Sequence, residues 1–318
     1  MKVQWSMVLL AAVALCASND DSPNLKRVQE PMSSLRPLAK FSVPGSPDWI
    51  GVGDSIWISN EPKHNLSRLD PGSNEVVATV ASGKKPCAGL AMGFGSVWVP
   101  NCSDGSVWRL DAETTKVLAR IPTGVANAEG TITAGEGSIW MPANKSGLLA
   151  RIDPDTNQTV ARIKVPAGSY AAMAGEGAIW VTCTKNNLVS RVDPKSEKVV
   201  ATIPVGPSPR FLAVGLGSVW TLNQGNGTVT RIDPATNKVT ATIAVGVPGK
   251  GGDIDTGEGA VWVSAIGKPI SRIDPATNRV TKQFVGKKGG DALRIGQGSL
   301  WLANHALHEV WRIDPKAL

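Results

Sequence analysis

Tryptophan recurs in this chain at nearly constant intervals, inside a motif of the form GxGSxW. Variants of it read GVGDSIW (51–57), GFGSVW (93–98), GEGSIW (135–140), GEGAIW (175–180), GLGSVW (215–220), GEGAVW (257–262) and GQGSLW (296–301). The spacings from Trp57 through Trp98, Trp140, Trp180, Trp220 and Trp262 to Trp301 are 41, 42, 40, 40, 42 and 39. An arginine follows each tryptophan by 11 residues, or 10 in the sixth unit: Arg68, Arg109, Arg151, Arg191, Arg231, Arg272 and Arg312. Seven units of this length match the period of a propeller blade. A sheet of some 40 residues cannot bury both its faces alone, so such units must stack face to face around an axis.

Each unit parses into four short strands. In the fifth, RFLAVG (210–215) is the inner strand A, SVWTLN (218–223) strand B, TVTRID (228–233) strand C and KVTATIAVG (238–246) the outer strand D. The alternation in VTATIAV has the period of two that a half-buried strand requires. The DPATN between strands C and D is turn chemistry, with Pro fixing φ and Asp or Asn bonding locally. The tryptophans are therefore expected as wedges between blades. The Arg and Asp of RID share a strand face and are expected to pair or to cover a neighbouring blade. The glycines of GEGS supply positive φ in the A–B turn. They form no phosphate loop, because a strand follows them and not a helix. The chain stops at VWRIDPKAL, after strand C of the seventh unit, while LAKFSVPG (38–45) resembles a strand D and precedes the first unit. The expectation is an all-β, seven-bladed propeller over residues 39–318, with four-stranded blades and the N-terminal strand completing blade seven.

Residues 1–18 read as a signal peptide: Lys2, the apolar run WSMVLLAAVAL, then small residues. An exported protein, periplasmic or extracellular, is expected, with no transmembrane segment left in the mature chain. Cys16 raises lipoprotein anchoring as a second reading, but Leu15 stands where a lipobox wants a small residue. Residues 19–38 are polar and Pro-rich and are expected to be a flexible linker. Export permits disulfides. Cys87 and Cys102 flank a tight hairpin centred on Phe94 and are expected to be bridged, with Cys183 a small core residue. The formal charge is +7, from 33 Lys and Arg against 26 Asp and Glu. The basic residues are scattered, so nucleic-acid binding is not expected.

The phrase IDPATNKVTATIAVG resembles the YVTN-type repeat of bacterial β-propellers, which implies a secreted binding or interaction module. The GSVW…RIDP portion is also similar to blades of the virginiamycin B lyase group. That likeness implies a seven-bladed enzyme that opens a lactone-like ester by elimination with Mg2+. The positions that match the lyase histidines at the start of strand A read Asp48, Tyr170, Arg210 and Asp291. The position three after tryptophan, glutamate in the lyases, reads Asn60, Asn101, Ala143, Cys183, Asn223, Ala265 and Asn304.

Strand order places the D–A and B–C loops on one face, and these vary from unit to unit, as a functional face would. The D–A loops carry Lys84, Lys85, Glu129, Tyr170, Arg210, Lys250, Asp253 and Asp291, together with Lys287 and Lys288. They are expected to form a largely basic mouth binding a small polar or anionic ligand, or a cell-envelope protein. The histidines His64, His305 and His308 all lie in B–C loops of the first and seventh units. With Glu61 they are the one metal candidate, although solvated loop residues and no cofactor is the preferred reading. No HExxH, GxSxG, paired CxxC or Walker sequence is present. The chain is expected to be a monomeric binding module; a lyase-like or lactonase-like enzyme on the same scaffold is the alternative.

Overall fold

The computed structural model describes residues 22–246, 249, 251–286 and 290–318, with side chains from Leu25 onward. The export signal read over 1–18, with Cys16, and the loop lysines Lys250, Lys287 and Lys288 lie outside the described residues.

Seven antiparallel four-stranded units surround one axis. Blade 1 runs through Ser46–Val52, Ile56–Glu61, Asn65–Asp70 and Glu75–Ala81, lettered A to D outward. Blade 5 runs through Pro209–Gly215, Ser218–Asn223, Thr228–Asp233 and Lys238–Ala244, within two residues of the sequence parse. Blade 7 takes strands A to C from Leu293–Gly296, Ser299–Asn304 and Glu309–Ile313. Its strand D is Ala39–Ser42, antiparallel to the last strand with Phe41 opposite Val310. The N-terminal strand thus seals the ring, and Phe41 packs against Trp301 with ring centroids 5.8 Å apart.

The GxGSxW motif is an inter-blade lock, each position with its own task. All seven tryptophans are 0% exposed. In blades 2 to 7 the indole N–H donates to the carbonyl of the first glycine five residues back, for example Trp262 to Gly257 at 2.9 Å and Trp301 to Gly296 at 3.1 Å. In blade 1 the extra Asp54 lengthens the turn, and the Trp57 indole N–H has no acceptor. The first glycine has a role that its conformation does not disclose. A Cβ on Gly257 would lie 2.3 Å from Ile295 of blade 7, and one on Gly296 would lie 2.3 Å from Val52 of blade 1. The second glycine and the residue before it both have positive φ, as Leu216 (54°) and Gly217 (66°) do, which makes a tight hairpin turn.

The arginine closes the lock. Arg231 lies over Trp220, with Cζ 4.8 Å from the ring centroid. Its Nε donates to Ser218 of its own motif at 2.9 Å, while Nη1 crosses to blade 6, to Pro275 O at 2.7 Å and Asn278 Oδ1 at 3.0 Å. Arg191 makes the same reach from blade 4 into blade 5, and Arg312 from blade 7 into blade 1 at Pro71 and Asn74. Arg272 of blade 6 bonds Thr281 of its own blade instead. Blade 7 has no C–D turn for it to reach, because its strand D comes from the other end of the chain. The Asp of RID does not pair with the Arg. Asp233 accepts from the N–H groups of Ala235 (2.8 Å) and Thr236 (3.2 Å) in its own turn. Those donors hold its carboxyl below the usual range.

The 19–38 segment, expected to be a tether, departs from that reading over its described part. Ser22–Arg27 is helical, and Gln29–Pro31 adds a fifth, parallel strand to the outer edge of blade 6, with Gln29 opposite Gln283. Leu25, Met32 and Leu35 are buried, Gln29 Nε2 donates to Gln283 Oε1 at 2.8 Å, and Glu30 pairs with Lys282 at 3.2 Å. Three separated apolar residues in a polar stretch show no periodicity, yet they suffice when a sheet edge supplies the backbone partners. Among the described residues no helix is long and apolar enough to cross a membrane.

Phe41→Ala is expected to cost about 3–5 kcal/mol in denaturant unfolding, as loss of a buried aromatic does. Val77→Ala, on the exposed outer strand of blade 1, should change stability by less than about 0.5 kcal/mol.

Candidate functional site at the axial mouth

The start of strand A in each blade faces the axis on the side of the D–A loops. In blade 1 this is Asp48–Trp49, in blade 4 Tyr170, in blade 5 Arg210–Phe211 and in blade 7 Asp291. Trp49 packs across the axis on Phe211, with centroids 5.6 Å apart, and Tyr170 packs on Phe211 at 5.9 Å. These three rings, 3%, 9% and 1% exposed, form an aromatic floor under the mouth.

Arg210 lies on that floor, its Cζ 4.6 Å from the Tyr170 centroid and 5.3 Å from that of Phe211. It donates to the Tyr170 hydroxyl oxygen and, at 3.1 Å, to Gln224 Oε1. Gln224 in turn donates to Gly251 O at 2.7 Å, and the Tyr170 hydroxyl donates to Ala128 O at 3.3 Å. The guanidinium is thereby fixed by neutral partners, and burial lowers its basicity.

Carboxyl groups converge on the same region from three blades. Asp48 is 4% exposed and its Oδ2 has no hydrogen-bond partner. Burial first, then the charges of Glu129, Asp291 and Glu61, push its carboxyl up to about 9. Glu129, from the D–A loop entering blade 3, is pushed up to about 7 by burial and by Asp291 and Glu61, against the pull of Arg210. Burial also raises Asp291, which the Gly252 N–H, His305 and Arg210 partly offset. Among the described residues none of these four carboxyls forms an ion pair.

The Cys87–Cys102 disulfide buttresses this wall. It links the D–A segment of blade 2 to the end of its strand B, with Cα atoms 5.9 Å apart. Cys87 O accepts from the Glu129 N–H at 2.6 Å, and the Gly89 N–H donates to Gly130 O at 2.8 Å. The bridge therefore holds the backbone from which Glu129 projects. Cys183 is buried, its thiol pushed up to about 11 by that burial.

Of the residues singled out in the sequence, Glu129, Tyr170, Arg210 and Asp291 are brought together at the mouth. Lys84 and Lys85 are exposed on its outer rim. Asp253 is not available to a ligand: it is 1% exposed and ion-paired with Arg294 between blades 6 and 7, and its Oδ2 also accepts from Leu293 N. The histidines do not assemble with Glu61. His305 acts on Asp291, while His308 bonds Ser46 Oγ at 2.9 Å and His64 is exposed. Among the described residues no three His, Cys, Asp or Glu side chains group as a metal site would need. Asp48, noted only as standing where the lyases have a histidine, and the floor residues Trp49 and Phe211 were missed as site members. Their signal was register: PDWI and PRFL place an ionisable residue and then an aromatic ring at the same blade position.

No family model matches the chain, and no curated protein does. Solved structures do match. A streptogramin B lyase superposes with a TM-score of 0.72 at 17% identity, over 86% of this chain and 96% of that one. Virginiamycin B lyase from Staphylococcus aureus gives 0.71 at 16%, over 86% and 97%. Hydrazine synthase from Kuenenia stuttgartiensis gives 0.70 at 16%, over 87% and 97%. The chain is a seven-bladed propeller of the virginiamycin B lyase-like fold. At these identities the likeness establishes the fold and no activity.

Two outcomes are expected. Native Asp48 keeps its proton up to about pH 9, whereas the unfolded chain ionises it near pH 4. Stability is thus lost progressively as pH rises through that window. Asp48→Asn should raise Tm at pH 8, with the gain vanishing near pH 4, as calorimetry across pH will register. Replacing both Cys87 and Cys102 by Ser should cost about 3 kcal/mol in chemical unfolding.

Proposed function

We propose that the protein is a binding module whose axial mouth, on the D–A and B–C loop face, takes a polar ligand. The observation that carries this is the convergence of Asp48, Glu129, Arg210 and Asp291 from blades 1, 3, 5 and 7, with Asp48 buried and an oxygen unpartnered. Buried polar groups without partners are costly, and binding sites are where proteins retain them. The disulfide supports an oxidising compartment, hence an exported protein.

One observation favours a second reading, an enzyme. Asp48 near 9 and Glu129 near 7 are carboxyls whose environments set them apart, as an acid and a base would be. Such a pair could open a lactone-like ester by elimination, Glu129 removing a proton and Asp48 protonating the leaving oxygen. The magnesium that this reading borrows from the lyase group does not suit these residues, because no three ligands group among the described residues.

Trp49 in the floor makes indole fluorescence a direct reporter. Titration with a panel of small amines, carboxylates, sugars and a macrocyclic lactone should give saturable quenching for at least one class. Asp291→Asn or Arg210→Ala should weaken that response by about tenfold or more. A panel in which no response depends on these residues sinks the binding reading. Turnover of the lactone, abolished by Glu129→Gln, would establish the enzyme instead.

A further inference from the structure

The mouth gathers carboxyl groups inside a rim that carries lysines. Lys84 and Lys85 are exposed, but Asp48, Glu61, Glu129 and Asp291 act on one another across the inner region, with Arg210 and His305 the cationic groups acting on them. Arg210 does not neutralise them by contact. Its Nη1 and Nη2 donate to Gln224 and Tyr170, its Nε is buried without an acceptor, and its Cζ lies beside the rings of Tyr170 and Phe211. Asp48, 4% exposed, is left with Oδ2 unpartnered and faces the other three carboxyls.

We infer that the axial mouth recognises an organic cation, a protonated amine or guanidinium, held by Asp48, Glu129 and Asp291 over the floor of Trp49, Phe211 and Tyr170. This rests on the reading of the mouth as a ligand site and names the ligand's class. A compact metal ion is the poorer occupant, because the carboxyls project from different blades and no three ligands group among the described residues. An organic cation spans separated acceptors, and aromatic faces attract it where carboxylates alone would not distinguish it from a metal. The aromatic rings of the floor already carry one guanidinium, that of Arg210. An N–H of an incoming ammonium would give Asp48 Oδ2 the donor it lacks, and its charge would let the neighbouring carboxyls ionise.

The test compares putrescine with succinate, ions of the same chain length and opposite charge, by titration calorimetry of the full chain. Putrescine should bind saturably and release protons, as seen in two buffers of different ionisation enthalpy. Its affinity should rise from pH 6 to pH 9, as Glu129 and Asp48 give up their protons. Asp48→Asn and Asp291→Asn should each weaken it by about tenfold or more. Near-UV circular dichroism checks their folding, and Glu129→Gln serves if either fails to fold. Saturable succinate binding that Arg210→Ala abolishes, with putrescine inert, would keep the mouth as a ligand site and overturn its cationic preference. Putrescine that does not bind, or binds the carboxyl variants as well as the parent, overturns the inference outright.

Discussion

Close approach between neighbouring blades is the constraint on which this fold depends. The first glycine of each motif in blades 2 to 7 lets the next blade come within a distance no side chain would allow. The indole that bonds that glycine's carbonyl fills the remaining space, and in most blades the arginine above it reaches the following blade's turn. These contacts are strictly local between neighbours, so the same residues must recur in each unit. The exceptions follow from the same geometry. Trp57 loses its acceptor where the turn is one residue longer, and Arg272 has no turn to reach where the ring is sealed by the other end of the chain.

A scaffold so repetitive on one face leaves the other free to vary, and the functional reading depends on that division. The turns after strand C use Asp to fix their own backbone. The opposite side concentrates burial, aromatic rings and carboxyls at a single mouth. Glu129 owes its place to a neighbouring blade, since the disulfide-anchored segment at Cys87 accepts its backbone N–H. The disulfide thus serves the site as well as the stability of blade 2.

The ring, its blade number, its strand limits and its closing strand were legible because periodicity repeats the signal seven times. The site was legible only in part. Glu129, Tyr170, Arg210 and Asp291 stand out as polar residues at varied loop positions, but a list of positions does not say which side chains turn toward the axis. Asp253 has the same local sequence signature as a mouth residue, and only its partner Arg294, far along the chain, makes it architectural. The basic character expected of the mouth came from counting lysines in loops. Of those lysines Lys84 and Lys85 are exposed, and Lys250, Lys287 and Lys288 lie outside the described residues, whereas the carboxyl of Asp48 is buried at the start of a strand A. Nor could the edge strand Gln29–Pro31 be read, because a single three-residue strand has no period and its partner is not in sequence proximity.

The closing strand also orders events during synthesis. Ala39–Ser42 leaves the ribosome before any blade exists, yet the strand it pairs with, Glu309–Arg312, lies beyond six complete blades. Blades 1 to 6 can stack as they appear, but the circle cannot shut until strand C of blade 7 has been made. A protein built this way stays an open arc until that strand has emerged.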